Sequence, residues 1–72
     1  MPKLYSAREV ITRLKRLGFV KISQVGSHIK MRGVRDSKLQ TSIVPNHKEI
    51  ALGTLSSVLK QANVTKKELD EA

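Results

Sequence analysis

Ser27-His28-Ile29-Lys30-Met31-Arg32 alternates polar and apolar residues without a break. Successive side chains of a strand point to opposite faces, so Ile29 and Met31 take one side and His28, Lys30 and Arg32 the other. The pattern is that of a half-buried strand with an apolar underside and a cationic outer side. Toward the N-terminus, Gly26 interrupts the run and marks a tight turn or a close backbone approach. Before it, Phe19 to Val25 is a second run of β-formers. Its facing stays ambiguous, because Val20 and Ile22 fall on one side and Phe19 and Val25 on the other. Toward the C-terminus, Gly33-Val34-Arg35-Asp36-Ser37-Lys38 reads as a hairpin loop. Leu39 to Val44 then forms a third strand, with Leu39, Thr41 and Ile43 on one face. Pro45 ends it, since proline cannot donate to a ladder.

Helices flank the strands on both sides. Ser6 and Glu9 have the spacing of a capping box, in which each side chain satisfies a free backbone donor at the helix start. Tyr5 before the cap can pack on Val10 as a staple. Val10, Ile11, Leu14 and Leu17 form an apolar stripe, Arg8, Arg13, Lys15 and Arg16 stay on the polar side, and Gly18 closes the helix. Asn46 to Gly53 is a connection with some helical character. Thr54 is placed to cap a second helix with the stripe Leu55, Val58, Leu59 and Ala62, closed by Asn63 in a left-handed conformation. Thr65 and Glu68 open one more short helical turn, with Val64 and Leu69 as its staple. Short loops make the strands an antiparallel meander, and two helices with one stripe each cover the same sheet face. The expectation is α+β: a two-layer α-β-β-β-α sandwich, one domain over residues 1–72, with His28, Lys30 and Arg32 on the open face.

Composition narrows the partners. Lys and Arg number 14 against 6 Asp and Glu, a net charge of +8. From Met1 to Arg35 the one acid is Glu9. A cationic surface of this density meets a polyanion, above all nucleic acid. One Phe, one Tyr and no Trp leave few anchors for a membrane surface. The opening residues lack the apolar core of a signal peptide, and no run approaches the roughly 20 apolar residues of a membrane span. There are no cysteines, which excludes disulfides and thiolate metal sites and fits a cytoplasmic location. Three strands between the helices argue against a helix-turn-helix DNA binder, and no G-x-x-G supports a KH module.

Chemistry rests on two histidines, His28 and His47. Neither a nucleophilic cysteine, a phosphate-binding glycine loop nor a metal-ligand cluster accompanies them. His28 follows Gly26-Ser27, where the backbone can come close to a ligand, and shares its face with Lys30 and Arg32. An imidazole can accept a proton at cellular pH, and cations beside it hold phosphate and stabilise charge developing there. RNA brings its own nucleophile, the 2′-hydroxyl, so one base and a few cations suffice for cleavage without a metal or cofactor. His47 can cap a helix, contact phosphate or serve in proton transfer, and Lys48 lies beside it. The cationic face alone serves equally a non-catalytic RNA-binding module.

Gly26-Ser27-His28-Ile29-Lys30-Met31 resembles the GSH-x-K segment of HicA-type mRNA interferase toxins. Val44-Pro45-Asn46-His47-Lys48-Glu49-Ile50 followed by Gly53-Thr54-Leu55 is similar to that family's V-P-x-H…GTL segment, and Leu17-Gly18-Phe19 fits the end of its first helix. The likeness runs from about Ser6 to Ala62. It implies a fold like the double-stranded RNA-binding domain, ribosome-independent cleavage of mRNA, and a HicB-type antitoxin that blocks the histidine. It assigns the essential role to His28. Gly26, Ser27, Lys30, Arg32, His47 and Lys48 are then the expected RNA-contacting residues. Ile29 and Met31 stand where family members often carry another aromatic or basic residue, which bears on RNA preference rather than on the class of activity.

Overall fold

The computed structural model describes residues 4–72, and the reading of the opening Met1, Pro2 and Lys3 lies outside the described residues. The elements follow in the order α1 (Ala7–Arg16), β1 (Val20–Val25), β2 (His28–Arg35), β3 (Lys38–Pro45), α2 (Leu52–Ala62) and α3 (Lys66–Glu71). The strands form an antiparallel sheet in the order β1-β2-β3. The helices pack on one of its faces, so the chain is an α+β two-layer fold of the expected order, with the short α3 added.

The alternation in β2 decides which face is covered. Ile29 and Met31 are buried, while His28 is exposed and Lys30 and Arg32 are half-buried. Their cross-strand partners Val44 and Ser42 share the buried face. From the helices, Val10 and Leu14 of α1, Leu55, Val58, Leu59 and Ala62 of α2 and Leu69 of α3 close the core, with Ile50 beneath them. Each Val, Leu or Ile among them contributes about 1.5–3 kcal/mol by leaving water. The one buried polar side chain among them is Ser42, whose hydroxyl donates to the Val58 carbonyl at 2.8 Å. Beside it, Gln61 Oε1 accepts from the Ile43 amide at 3.0 Å and ties α2 to the outer edge of β3.

The ambiguity of β1 has a structural cause. Val20 pairs with Arg32 and Val25 with His28, but the register shifts between Lys21 and Ser23. That bulge inserts one residue, so Val20 and Val25 face the same way despite their odd spacing. Every residue of β1 is exposed. Phe19, just outside the strand, supplies the burial instead and is 2% exposed. Its ring lies against Gly33, where a Cβ would stand 2.8 Å from Phe19 Cγ. Gly33 is therefore a strand residue that leaves room for a ring, not part of a loop. The expected six-residue loop is only Asp36-Ser37, both at positive φ (52° and 63°). Two left-handed residues between paired Arg35 and Lys38 are the signature of a type I′ hairpin turn.

The helix punctuation agrees at four ends and differs at one, with Gly18 at φ 100° directly after the C-cap of α1. Ser6 and Glu9 form the capping box of α1, and Thr65 and Glu68 form that of α3. Asn63 closes α2 at φ 57°. The second helix, however, starts at Leu52 behind Ala51, which gives no side-chain cap, so Thr54 lies inside the first turn. The end of α3 is held by α1: Arg13 Nη1 donates to the carbonyls of Leu69 (3.1 Å) and Asp70 (2.9 Å), and Arg16 Nη1 to that of Ala72 (3.2 Å). A helix end leaves its last carbonyls short of intrahelical partners, and here the Leu69 carbonyl also accepts from the Ala72 amide (3.2 Å). Tyr5 donates its hydroxyl to Asp70 and lies under the Arg13 guanidinium, 5.2 Å from the ring centre. Arg35 pairs with Glu68, and Asn63 Nδ2 bonds Asp36, so the α2–α3 corner grips the β2–β3 turn.

Candidate functional site

His28 opens β2 on the uncovered face of the sheet, with Lys30 and Arg32 following on the same side. Residues two apart in a strand lie roughly 7 Å apart, so Arg32 is about 13 Å from His28 along the strand. Arg32 is pinned there, its Nε donating to Thr41 Oγ1 at 3.1 Å. Lys30 is thus the strand cation next to His28, and Arg32 belongs to the middle of the face. Around His28 the cross-strand neighbours are Val25 and Pro45.

The turn before His28 is Gly26-Ser27. Gly26 has φ +57°, and a Cβ there would meet nothing within 4 Å. Glycine is needed for its backbone conformation rather than for space. The Ser27 carbonyl accepts from the Asn46 amide at 2.6 Å. This bond continues the β2–β3 ladder one step beyond the His28–Pro45 pair and sets the Gly26-Ser27-His28 turn beside the Asn46-His47 segment. Two further bonds fix the second segment: the His47 amide donates to the Pro45 carbonyl (2.9 Å), and the His47 carbonyl accepts from the Ala7 amide (2.9 Å). His47 is therefore held by its backbone at the N-terminus of α1, with its side chain exposed. An open groove beside it is lined by Ser6, Arg8, Asn46, His47 and Lys48.

The structure thus brings Gly26, Ser27 and His28 beside Asn46 and His47, puts Lys48 in the adjoining groove, and sets Arg32 apart. The patterning missed Arg8. It stands in the first turn of α1 behind the Ser6 cap, and nothing local distinguishes it from the other polar-face cations. Only the docking of the Asn46–Lys48 segment onto α1 brings it into the groove. Several other cations serve the fold: Arg13 and Arg16 hold the end of α3, Arg35 pairs with Glu68, and Lys66 with Asp70.

The shifted titrations lie at the seam of α1 and α3. Backbone and side-chain hydrogen bonds from Thr65 and Arg35, the Thr65 amide foremost, hold Glu68 below the usual carboxylate range. The Tyr5 hydroxyl, and after it Lys66, does the same for Asp70. Partial burial, and then the bond to Asp70, raises the Tyr5 phenol. Among the described residues no group of three or more His, Cys, Asp or Glu could hold a metal ion, and no helix is long and apolar enough to cross a membrane. What the site offers is a solvent-facing imidazole between a cationic strand face and a cationic groove. Exposed cations grouped in this way favour a polyanion.

No curated protein matches the chain. A family model described as the HicA toxin of bacterial toxin-antitoxin systems matches residues 7–64, from the first residue of α1 past the end of α2. The match takes in the whole sheet, both histidines, Arg8 and Lys48. The chain belongs to the HicA toxin family.

Proposed function

We propose that the chain is a toxin that cleaves mRNA independently of the ribosome, with His28 as general base. The observation that carries the reading is the placement of an exposed His28 against the His47 segment, at the meeting of the strand cations and the Arg8–Lys48 groove. His28 takes the proton of the RNA 2′-hydroxyl. The 2′-oxygen attacks the adjacent phosphorus, and the bond from phosphorus to the 5′-oxygen breaks. The leaving oxygen takes a proton from His47, a lysine or water. The products are a 2′,3′-cyclic phosphate, which water opens to a 3′-phosphate, and a 5′-hydroxyl end. The Gly26-Ser27 turn allows close approach, and Lys30, Lys48 and, further along, Arg32 neutralise phosphates. No metal or cofactor is required by this sequence of steps. The partner is a HicB-type antitoxin that covers the histidine, and the site of action is the cytoplasm.

Purified protein is incubated with a long single-stranded RNA in the presence of EDTA, beside a His28→Ala variant shown by circular dichroism to be folded. The expected result is cleavage by the parent alone, with cyclic-phosphate ends. Equal cleavage by the variant would refute the role of His28. Binding by both without cleavage by either would leave a basic RNA-binding module.

A further inference from the structure

We infer that the RNA strand leaves the histidines along α1, over Arg8 and Thr12 toward Arg16, rather than only along the open sheet face. The inference rests on the ribonuclease reading for the position of the scissile phosphate. Two open grooves flank the first turns of α1. One is lined by Ser6, Arg8, Asn46, His47 and Lys48, the other by Arg8, Glu9, Thr12, Arg13 and Arg16. Arg8 lines both, so the two grooves adjoin at its side chain, one toward the His47 segment and one along the helix. Arg8, Thr12 and Arg16 are spaced four residues apart and share one helix face. At about 1.5 Å per residue they span roughly 12 Å along the helix.

The availability of the cations favours this path. Arg8 is exposed and makes no hydrogen bond, ion pair or ring contact among the described residues. A guanidinium, with its five donors in a planar fork, is the side chain suited to a phosphate. Lys48, across the groove, is likewise exposed and unpaired among the described residues. Arg16 uses one Nη1 contact on the Ala72 carbonyl and keeps donors for solvent. Arg13 lies on the floor, its Nη1 turned to α3. At the start of the helix three amides are already engaged: that of Ser6 by Glu9 Oε1, that of Glu9 by Ser6 Oγ, and that of Ala7 by the His47 carbonyl. The side chains of Arg8 and Lys48 carry the charge on which the inference rests. The open sheet face, by contrast, is interrupted on the β1 side and at its far end by exposed Val20, Val34 and Leu39.

The test is fluorescence anisotropy with a labelled single-stranded RNA in the His28→Ala background, comparing Arg8→Gln and Thr12→Glu with Lys60→Gln on the exposed side of α2. Arg8→Gln is expected to weaken binding about tenfold, the worth of one charge-assisted contact. It should also lower the slope of log affinity against log salt by about one. Thr12→Glu, which puts a negative charge in the groove along the helix, should weaken binding as well, and Lys60→Gln should leave it unchanged. Melting temperatures of Arg8→Gln and the parent should agree, since the Arg8 side chain makes no hydrogen bond or ion pair among the described residues. With His28 restored, Arg8→Gln should raise KM and leave kcat at saturating RNA. Affinity and salt slope unchanged in both groove variants would overturn the inference while cleavage by the parent stands. Arg8-dependent binding without any cleavage would instead refute the ribonuclease reading and uphold the path along α1. Unchanged RNA binding with lost neutralisation by the antitoxin would assign the groove to that protein and overturn the inference.

Discussion

Replacing Gly33 by alanine adds a single methyl group to β2, and the geometry fixes what it meets. The new Cβ would stand 2.8, 2.9 and 3.0 Å from Cγ, Cδ1 and Cδ2 of Phe19. These atoms are the near side of a ring that is 2% exposed, so the ring cannot swing into solvent without leaving the core. Overpacking of this kind costs about 1–3 kcal/mol. The same change reduces the freedom of the unfolded chain, which returns about 0.4–1 kcal/mol. The net loss is about 1–2 kcal/mol. For a domain of this size each kcal/mol moves the melting temperature by about 4–8 °C. Gly33→Ala is therefore expected to melt roughly 5–15 °C below the parent. Gly53 supplies the internal control. It lies in the first turn of α2 with nothing within 4 Å of an added Cβ, and Gly53→Ala should gain a few tenths to about 1 kcal/mol. Calorimetric scans of the parent and both variants decide the matter. A Gly33→Ala protein as stable as the parent would show that the Phe19 ring does not depend on the missing side chain.

Two other changes follow from features of the backbone and the seam. Ser37 sits at φ 63° in a two-residue turn, where a side chain is strained, so Ser37→Gly should stabilise the protein by about 0.5–1 kcal/mol in urea unfolding. A loss of stability would argue against the I′ turn. Glu68 and Asp70 are held below their ordinary range. Their contribution is then present above the unfolded carboxylate values near ~4 and disappears as pH falls through the lowered folded values. Melting temperature should fall on acidification in that window, and a Glu68→Gln, Asp70→Asn double variant should show a shallower fall. An identical acid limb in the two proteins would refute the assignment.

The order of elements and the buried stripe of each helix were legible because they follow from periodicity and caps that act within a few residues. The facing of His28, Lys30 and Arg32 followed from the same alternation. Three features depended on contacts between distant segments. Gly33 carries the mark of a turn residue, and only the Phe19 ring beneath it shows why it lies in a strand. Thr54 is a good cap by type, yet Ile50 is drawn into the core and its amide to the Tyr5 carbonyl (2.7 Å), and the helix begins earlier, at Leu52. The bulge in β1 leaves no compositional trace, so its facing could not be read. At the site, each histidine was visible singly, but the neighbourhood of their two segments depends on the register that pairs His28 with Pro45 and bonds Asn46 to Ser27 across the sheet end. The same holds for charge: composition counts Arg13 and Arg35 as surface cations, while the fold uses both to hold α3.

The two borders of the sheet bear on how the molecule behaves in a crowded solution. An unguarded strand border is a template for any extended chain, including another copy of the same protein. Here one border is broken by the irregularity between Lys21 and Ser23, and the other has the Ile43 amide occupied by Gln61. Zipping of copies into ribbons is disfavoured on both sides. Gln61→Ala, which frees the Ile43 amide, should be among the first substitutions to make concentrated preparations turbid.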